Sequence, residues 1–589
     1  MIMKKCVLVL LVLACVCISS FSCSKDKTEQ NNTEELGSSD LSSDYITIAE
    51  NKTINYQLVY PYDANDSVMV AVSDVFKIIE KYSDSTPTMH DDYISTNQEH
   101  NTESLEILIG KTNYPETREV LEDIGFGDWK ICKVGNKLVI AAYSERALQN
   151  AVTKFISELK KGSTEDGVIC ISSDIEFSGI LYETANNLPE YVSEILPEIV
   201  DCGDNTVLAL YRGTTLAEYD KYLAKLEALG YTYHTSNKMA DNYFATYYND
   251  RYLIHAGFYG YENSVRMTIE PKNALVPLIN ENTYTKNSNV VTSMAQIGLY
   301  HEASDYHSIG MAYVFQLADG SFLVIDGGYP SDAPRLYSYM KSKAPDGNIV
   351  IASWFVTHND PDHRGCITNF ATNYKNNVRV EQVVLNFPSS EAYFDCNQEP
   401  NSAAQIAIKG IPDCKVIKAH TGQKFYIRNA VVELLYTLDS YYPEKFTNFN
   451  NSSLVFTVDI EGERMFFAGD ISEEVTEILV DTFKNTDYVR SDFLQLAHHG
   501  IRNSHGTNMP NTVELYKMIR PSVVLWPTSN ANYLNTNRSE SHQIHLHAWN
   551  AEAVDVAREV YIAGEDYVTV FKLPYSMFSA RRELITIVE

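Results

Sequence analysis

The second half of the chain contains four runs of mainly apolar residues, each closely followed by a residue able to bind a metal ion. The runs are Phe322–Ile325, Ile349–Val356, Met465–Ala468 and Phe493–Ala497. Short runs rich in β-branched and aromatic residues predict buried β-strands. The residues that follow these runs are Asp326, His358, Asp470 and the adjacent pair His498 and His499. Random surface acids would not follow four strands in this way.

Helical patterns alternate with these strands, which predicts a layered α/β sandwich for residues 288–589. The predicted helices are Val475–Phe483, Thr512–Met518 and Ala551–Glu559, and Tyr567–Phe571 is predicted to be a closing strand.

Two further units are predicted ahead of the sandwich. In residues 45–175, strands and two amphipathic helices, Ser67–Tyr82 and Ala147–Leu159, predict an α/β domain. In residues 176–287, a helix at Leu216–Leu229 and Tyr-rich strands predict a small α+β domain. Neither unit shows a cluster of candidate ligands, so we interpret both as accessory domains. The chain has 40 Tyr residues. They could form a surface that contacts a polysaccharide or peptide, or they could pack on half-buried strands, and we favour packing on strands.

The excess of acidic residues limits which binding partners are expected. The chain has 589 residues, of which 77 are acidic and 47 are basic, and its net charge is −30. Proteins that hold nucleic acid mainly through its phosphates need a basic surface. Tight nucleic-acid binding is therefore disfavoured, although a bound cation can still neutralise a phosphodiester group locally.

The N-terminus resembles a bacterial lipoprotein signal peptide. In residues 1–22, lysines precede an apolar run, and Cys23 then stands where the sequence turns polar. We expect Cys23 to carry the lipid; Cys15 is a rival site, and ordinary signal-peptide cleavage is the alternative. Residues 23–44 are polar and predict a disordered tether. The expected location is the outer face of a bacterial membrane.

The segment Thr357–Gly365 is the densest group of candidate ligands. It holds His358, Asp360, Asp362 and His363. Imidazole and carboxylate are ligands that divalent metal ions prefer. A polar loop with a proline turn is the alternative, and the ligands at the other strand ends favour a metal site.

The order Asp-Gly-Gly, Thr-His-x-Asp-x-Asp-His-x-Gly, Ala-Gly-Asp and His-His-Gly resembles the metallo-β-lactamase superfamily over residues 290–575. Asp360 replaces the usual second His of the main motif, which is similar to the branch typified by the ComEC-type competence nucleases. The segment Asn450–Phe456 also resembles that branch. The resemblance implies an αββα sandwich, so the expected fold class is α/β, with α/β and α+β accessory domains in front.

The same resemblance implies a set of metal ligands. These are His358, Asp360, Asp362, His363, Asp470, His498 and His499. His358 and Asp360 would bind one ion, Asp362 and His363 a second ion, and Asp470 would bridge the two.

One of His498 and His499 would complete the set, and the catalytic residues would be Asp362, His363 and His499. Asp326 is expected behind the ligands, where it would orient the histidine loop.

The expected cofactor is one or two divalent ions. Zn²⁺ and Mn²⁺ are the candidates, and Mg²⁺ is also compatible, because Asp360 in place of His makes the site harder and richer in oxygen. Such an ion lowers the pKa of a bound water molecule to about 7 and so provides hydroxide at neutral pH.

Four histidines outside these motifs are further candidates. His420 is the only His between the main motif and the Gly-Asp strand, where the superfamily places its third His; a turn of the fold is the alternative. His542, His545 and His547 precede the last predicted helix. Because the family often places polar substrate-contacting residues there, His545 and His547 are candidate substrate contacts, with a solvated loop as the alternative.

We therefore expect an extracytoplasmic, metal-dependent hydrolase, and the leading hypothesis is a phosphodiesterase or nuclease-like activity on an envelope or extracellular substrate. One alternative is hydrolysis of another ester or amide bond. The other is a non-catalytic lipoprotein that binds envelope glycans and keeps a relic metal site. The intact ligand set favours the enzyme.

Overall fold

A computed structural model describes residues 44–95, 99–164, 166–181, 183–192, 195–299, 310–389, 402–444, 449–501, 509–533, 544–575 and 582–586. The predicted signal peptide, Cys15, Cys23 and almost all of the predicted tether lie outside the described residues. Within the described part of the chain, no helix has both the length and the apolar character needed to cross a lipid bilayer.

The first unit contains a six-stranded sheet and a three-stranded sheet. Its strands are β1 (Tyr45–Glu50), β2 (Thr53–Ile54), β3 (Gln57–Tyr60), β4 (Met89–Asp91), β5 (Glu106–Ile109), β6 (Asp128–Val134), β7 (Lys137–Ala142), β8 (Ile169–Ser172) and β9 (Glu176–Ile180). Its helices are α1 (Asp66–Ser83), α2 (Pro115–Glu122) and α3 (Glu145–Lys161). The larger sheet has the order β4-β3-β5-β7-β6-β9, in which β4, β3, β5 and β7 are parallel, and the smaller sheet has the antiparallel order β2-β1-β8.

Helices α1 and α3 lie where the apolar spacing predicts them and extend one or two residues further at each end. At the start of α1, Asn65 Oδ1 accepts a hydrogen bond from Val68 N (3.1 Å). At the start of α3, Ser144 Oγ accepts one from Ala147 N (3.3 Å). These caps satisfy backbone N–H groups that have no partner within the helix, which accounts for the earlier start of both helices.

The second unit is an antiparallel sheet with the order β10-β11-β15-β14-β13-β12, packed against a helix. Its strands are β10 (Glu198–Gly203), β11 (Thr206–Arg212), β12 (Thr232–Met239), β13 (Asn242–Tyr248), β14 (Tyr252–Tyr259) and β15 (Ser264–Pro271), and its helices are α4 (Glu183–Asn186) and α5 (Leu216–Ala228). Tyr219 and Tyr222 of α5 are fully buried in the core of this unit. These two tyrosines act as packing residues of a helix, whereas the expectation concerned tyrosines on half-buried strands.

The third unit contains the remaining elements. Its strands are β16 (Ser293–Ile297), β17 (Ala312–Gln316), β18 (Phe322–Asp326), β19 (Ile349–Phe355), β20 (Val378–Val380), β21 (Gln382–Leu385), β22 (Lys415–Lys418), β23 (Lys424–Ile427), β24 (Ala430–Tyr436), β25 (Val455–Ile460), β26 (Glu463–Phe467), β27 (Phe493–Gln495), β28 (Val523–Trp526), β29 (Glu559–Ile562), β30 (Tyr567–Lys572) and β31 (Arg582–Thr586). Its helices are α6 (Ala333–Lys343), α7 (Pro361–Asn369), α8 (Ser402–Lys409), α9 (Leu438–Tyr441), α10 (Glu473–Phe483), α11 (Pro510–Ile519), α12 (Asn530–Tyr533) and α13 (Ala548–Val556). The last predicted helix was placed three residues too late, because the chain from Glu559 onward pairs with β28 as a strand.

Two sheets face each other in the third unit, and helices cover their outer faces. One sheet has the order β22-β21-β19-β18-β17-β16-β30-β31, with β20 also beside β19, and the other has the order β23-β24-β25-β26-β27-β28-β29. Buried aromatic residues from both sheets, such as Phe315 and Phe467, fill the layer between them. Helices α6 and α7 pack on the first sheet, and α10, α11 and α13 pack on the second. This arrangement confirms the predicted α/β fold class with an αββα sandwich.

The carboxyl ends of parallel strands in both sheets deliver the candidate ligands. Strands β18 and β19 are parallel neighbours in the first sheet and lead to Asp326 and His358. Strands β26 and β27 are parallel neighbours in the second sheet and lead to Asp470 and His499. Packing the two sheets face to face therefore brings four distant parts of the sequence to one edge of the sandwich.

The second unit shares a continuous apolar core with the third. Leu208 and Phe244 of the second unit lie in the same buried cluster as Tyr436 and Phe466 of the third. Asn237 Nδ2 also donates to Glu433 Oε1 (2.8 Å) across the boundary. The small α+β unit is thus packed firmly against the sandwich.

Candidate metal centre

Four side chains converge on one buried point of the sandwich. They are Asp362, His363, Asp470 and His499, whose donor atoms all lie within 4.8 Å of one another, and we refer to them as the metal-site cluster. Asp470 Oδ2 lies 3.1 Å from His363 Nε2 and 3.0 Å from His499 Nε2. Asp362 Oδ2 lies 3.3 Å from His499 Nε2. Two carboxylates and two imidazole nitrogens around one point form a ligand set suited to a divalent metal ion.

The start of α7 places Asp362 and His363. Asp360 is the N-cap residue and Pro361 occupies the first helical position, where its missing N–H is not needed. His363 N and Arg364 N both donate to Asp360 O (3.1 and 3.0 Å). The motif follows strand β19 as its sequence predicts, and its second half, from Pro361 onward, forms the first turn of helix α7.

A left-handed turn after β27 places His499. His498 and His499 have φ angles of 48° and 55°, which are uncommon for residues other than glycine. His498 N donates to Gly469 O (3.1 Å), and Gln495 Oε1 accepts from Gly469 N (2.8 Å). These bonds tie the ends of β26 and β27 together, so that Asp470 lies beside His499.

Hydrogen bonds on the far side of both imidazole rings determine which nitrogen faces the cluster. His363 Nδ1 lies 2.7 Å from Asp326 Oδ2, and His499 Nδ1 lies 2.8 Å from Pro527 O. Because these oxygens are acceptors, Nδ1 carries the proton and donates in both rings. The Nε2 atom of each ring is then the one that faces Asp470, and a metal ion that displaced its proton would meet a lone pair there.

Asp326 holds the histidine loop from behind. It is fully buried at the end of β18 with φ of 52°. Besides His363, its carboxylate accepts from Thr357 N and Thr357 Oγ1, each at 2.7 Å. Asp326 therefore orients both the ring of His363 and the backbone that leads to it.

The charges of the cluster favour a cation at its centre. Burial lowers the pKa of His363 and His499, but the neighbouring carboxylates, Asp470 first, outweigh it. The pKa of His363 is therefore well above its usual value, and that of His499 rises to about 9. Burial raises the pKa of Asp362 and Asp470, yet the two imidazoles hold both below the usual range. A metal ion would supply the positive charge that protons supply otherwise.

Two buried polar atoms show that the cluster fits such an ion. Asp470 Oδ1 and His358 Nε2 have no hydrogen-bond partner among the described residues. A buried polar atom without a partner costs about 1–3 kcal/mol. Because both atoms are good metal ligands, coordination would remove this cost.

His358 and Asp360 lie beside the cluster and form a pair of their own. The ring centroid of His358 is 4.1 Å from that of His363, and His358 Nε2 lies 3.5 Å from Asp360 Oδ2. The structure places them next to the cluster, and their binding of an ion stays a prediction.

Of the two adjacent histidines, only His499 is a member of the metal-site cluster. His498 Nε2 lies 3.5 Å from Asn450 Nδ2 instead. Burial lowers the pKa of His498 to about 4. The structure therefore separates the two residues that the sequence left equivalent.

Residues 306–427 match the family model described as the metallo-beta-lactamase superfamily. The chain carries a metallo-β-lactamase superfamily domain. The matched segment contains Asp326 and the whole histidine motif, whereas Asp470 and His499 follow it in the second half of the same sandwich.

Solved structures resemble this domain at low sequence identity. The metallo-β-lactamase fold protein YhfI from Bacillus subtilis is 13% identical, with a TM-score of 0.29, over 47% of this chain and 98% of that protein. The diiron β-hydroxylase CmlA from Streptomyces venezuelae is 14% identical, with a TM-score of 0.30, over 50% of this chain and 54% of that protein. A metallo-β-lactamase from Hirschia baltica is 8% identical, with a TM-score of 0.19, over 50% of this chain and 88% of that protein. No curated protein matches the chain.

In the metallo-β-lactamase domain, His420 belongs to a different group of charges. His420 Nδ1 lies 2.7 Å from Asp439 Oδ2, and His420 Nε2 lies 3.3 Å from Glu270 Oε1 of the second unit. Lys418 Nζ lies 3.0 Å from Glu270 Oε2. We refer to these four residues as the interdomain cluster. Both ring nitrogens of His420 are engaged there, so the structure does not bring it to the metal-site cluster.

The histidines before α13 are also held by local contacts. His545 Nδ1 lies 3.2 Å from Tyr533 O, and the ring of His547, at the start of α13, lies 4.4 Å from that of Trp549. Neither is a member of the metal-site cluster, and their contact with substrate remains a prediction. His542 lies outside the described residues.

Three further residues, Ser453, Gln495 and Pro527, support the cluster and were not predicted from the sequence. Asp470 N donates to Ser453 Oγ (3.0 Å), Gln495 joins the ends of β26 and β27, and Pro527 supplies the acceptor for His499. A polar residue inside an otherwise apolar strand is a usable signal for Gln495. Pro527 acts through its backbone oxygen, which no side-chain pattern reveals.

Proposed function

We propose that this protein is an extracytoplasmic hydrolase that uses one or two divalent metal ions to cleave phosphodiester bonds. The observation that carries the proposal is the convergence of Asp362, His363, Asp470 and His499 on one buried point. The unpaired Asp470 Oδ1 beside this point supports it.

Asp362, His363, Asp470 and His499 would hold a divalent ion, which would supply Lewis acidity for activating a water molecule and for neutralising negative charge on the substrate. The chain's own residues keep the ligands in place. Asp326 prevents rotation of His363, and the carbonyl of Pro527 does the same for His499.

The substrate approaches on the side of Asp362. Its side chain is 15% exposed, whereas those of Asp470 and the two cluster histidines are 4% exposed or less. Asp360, which precedes it, is 23% exposed. Asp362 is therefore placed to accept a proton from water that enters the site.

The ligand types favour a phosphodiester substrate. Asp360, Asp362 and Asp470 supply carboxylate oxygens, which shift the preference towards Mn²⁺ or Mg²⁺ relative to Zn²⁺. Such hard ions bind phosphate oxygens well. Since the chain has a net charge of −30, recognition of a phosphodiester rests on the ion rather than on a basic groove, which points to envelope phosphodiesters over long nucleic acids.

The deciding experiment uses protein stripped of metal and reloaded with Mn²⁺ or Zn²⁺. Each form is assayed on bis-p-nitrophenyl phosphate, single-stranded DNA and p-nitrophenyl acetate, beside the Asp470→Ala variant. Asp481→Asn, at an exposed acid of α10 in the same domain, is the control. We expect metal-dependent phosphodiester turnover that only Asp470→Ala abolishes. Turnover of the acetate ester alone would contradict the phosphodiesterase, and failure to bind metal would contradict the site.

We further propose that lipid on Cys23 anchors the protein to the outer face of a bacterial membrane. The support is the signal-like pattern of residues 1–22. Cys23→Ala should release the protein from the membrane fraction and abolish lipid labelling. If the variant stays labelled and membrane-bound, Cys15 carries the lipid instead.

A further inference from the structure

A cavity of about 340 Å³ lies where all three units of the protein meet. Its walls come from loops of the first unit, from β10 of the second and from the segment Tyr442–Glu444 of the metallo-β-lactamase domain. None of its lining residues belongs to the metal-site cluster. The cavity is therefore a separate feature that hydrolysis at the metal site does not explain.

The position of the cavity in the first unit is one where α/β sheets bind ligands. Pro61 and Asp63, which follow β3, and Gly110 and Lys111, which follow β5, line it. In the sheet, β3 lies between β4 and β5. The chain passes from β3 through α1 to β4 on one side of β3, and β5 follows on the opposite side. The carboxyl ends of two parallel strands whose connections diverge in this way form a crevice that commonly holds a ligand.

The charges around the cavity exclude an anionic ligand. Five lining residues are acidic, and these are Asp63, Glu145, Glu198, Asp201 and Glu444. The basic lining residues are Lys111 and Arg146, and Arg146 Nε already donates to Asp201 Oδ2 (2.7 Å). Among the described residues, the acids here do not form a group close enough to hold a metal ion. The ligand is therefore neither an anion nor a metal ion, and the hydrogen-bonding groups of the lining indicate its class.

The polar groups suit a ligand with several hydroxyl groups. Carboxylates accept hydrogen bonds from hydroxyls, and the Asn65 amide, whose Oδ1 caps α1 and whose Nδ2 donates to Glu145, keeps one further lone pair and one further N–H. Asn65 also contacts Glu145, which joins the starts of α1 and α3 at the rim. Planar carboxylate and amide groups can each engage two neighbouring hydroxyls.

Two exposed aromatic side chains lie at the same edge of the sheet. Tyr62, between the lining residues Pro61 and Asp63, is 68% exposed, and Tyr93, which follows β4, is 63% exposed. Their ring centroids are 5.3 Å apart. An exposed pair of tyrosines offers apolar faces together with hydroxyl groups. Nucleic-acid bases also stack on such rings, but their phosphates would meet the acidic residues of the cavity.

We propose that this cavity, extended by Tyr62 and Tyr93 at the same edge of the sheet, is a binding site for a neutral saccharide. The sugar hydroxyls pair with Asp63 and Asn65, and a sugar ring packs on the tyrosine pair. Because the metallo-β-lactamase domain forms one wall, a glycan held here also contacts the catalytic unit. This site goes beyond the proposed hydrolase activity and does not depend on it.

The test is calorimetry on the purified protein with tetrasaccharides of glucose, xylose, mannose and N-acetylglucosamine, together with affinity electrophoresis in the corresponding polysaccharides. We expect binding to at least one of them. Tyr62→Ala and Asp63→Ala should each weaken it about tenfold or more, corresponding to about 1.4 kcal/mol. Tyr45→Ala, at a tyrosine 57% exposed in the small sheet of the same unit, should bind like the unchanged protein.

Two further measurements make the outcome decisive. Asp470→Ala should keep saccharide binding, because it alters only the metal-site cluster. Circular dichroism and thermal unfolding should show that each variant is folded; for any variant that is not, Tyr62→Ser and Asp63→Asn take its place. Absence of binding to every saccharide tested, binding that survives changes at both Tyr62 and Asp63, or stronger binding to heparin than to neutral glycans would overturn the proposal.

Discussion

Two buried groups of histidine and carboxylate lie in the metallo-β-lactamase domain and its boundary, one around Asp470 and one around His420. In the metal-site cluster, Asp470 Oδ2 faces the Nε2 atoms of two histidines, and its Oδ1 has no partner among the described residues. In the interdomain cluster, each nitrogen of His420 faces its own acid, and Lys418 pairs with Glu270. The residue types are similar, but the arrangement differs.

The difference teaches how a metal site can be told from an ion-pair network. Both His499 and His420 have a pKa raised to about 9 against the effect of burial, in each case by neighbouring acids. A raised pKa therefore does not separate the two. Charge balance does not separate them either, since each cluster sets two basic groups against two acids. Geometry does: in the interdomain cluster each nitrogen of His420 faces its own acid. The metal-site cluster instead directs four donors to one point and leaves Asp470 Oδ1 without a partner among the described residues.

The largest expected effect is that of Asp470→Ala. It removes the carboxylate shared by both cluster histidines, so we expect metal-dependent hydrolysis to fall at least about 10³-fold, or about 4 kcal/mol. Bound metal, measured by elemental analysis, should fall with it. Asp439→Ala should retain the metal. If Asp470→Ala keeps both metal and turnover, the assignment of the cluster is wrong.

Asp439→Ala should instead destabilise the protein. The substitution removes the acid that pairs with His420 Nδ1 and leaves Glu270 as the acid beside the buried ring. Breaking a buried ion pair in this way costs about 3–5 kcal/mol. The free energy of unfolding in urea measures the loss, with Asp481→Asn as the surface control. Unchanged stability together with lost metal would mean that the two clusters have been assigned the wrong way round.

Asp326→Asn should weaken metal binding without unfolding the domain. The amide can still contact Thr357, but it no longer supplies the charged acceptor for His363 Nδ1. Removal of such a partner costs about 10–100-fold in metal affinity. Competition with a fluorescent chelator gives the affinity. Thr357→Val removes only one of the three hydrogen bonds to the Asp326 carboxylate. It should therefore reduce metal affinity less than Asp326→Asn does.

The smallest expected effect is a pH dependence of stability that comes from the interdomain cluster. Burial lowers the pKa of His420, but Asp439 and Glu270 raise it from the ordinary 6.5 to about 9. A histidine with a higher pKa in the folded state contributes fully below the unfolded value, and this contribution is lost as the pH rises through the folded value. Between about pH 6.5 and pH 8, the free energy of unfolding should therefore fall by about 1–2 kcal/mol.

The measurement is the difference between the unchanged protein and His420→Gln, both loaded with metal, because the subtraction removes the titration of the other groups. The variant should be less stable at pH 6.5 and should lack this slope. Parallel pH profiles for the two proteins would show that His420 is not protonated in the folded state.

The local pattern of apolar and polar residues was sufficient to predict many of the strands and helices of this protein. The strands before Asp326, His358, Asp470 and His499 could be predicted because a buried strand requires a run of apolar residues, and such a run is visible in the local sequence. Helices α1 and α3 could be predicted for the same reason, and only their caps lengthened them. The domain limits assigned from composition remain predictions.

The sequence by itself determined which residue types stand at the ends of the strands, and hence that imidazole and carboxylate ligands are available for a metal site. Tertiary structure decided which of them meet. His498 and His499 are neighbours with the same chemistry, and only a left-handed turn held by Gly469 selects His499. His420 resembles a ligand in sequence, but packing of the second unit provides Glu270 as its partner. These contacts join residues 29 positions apart in the first case and 150 in the second, so they depend on how the strands and units pack rather than on any local pattern.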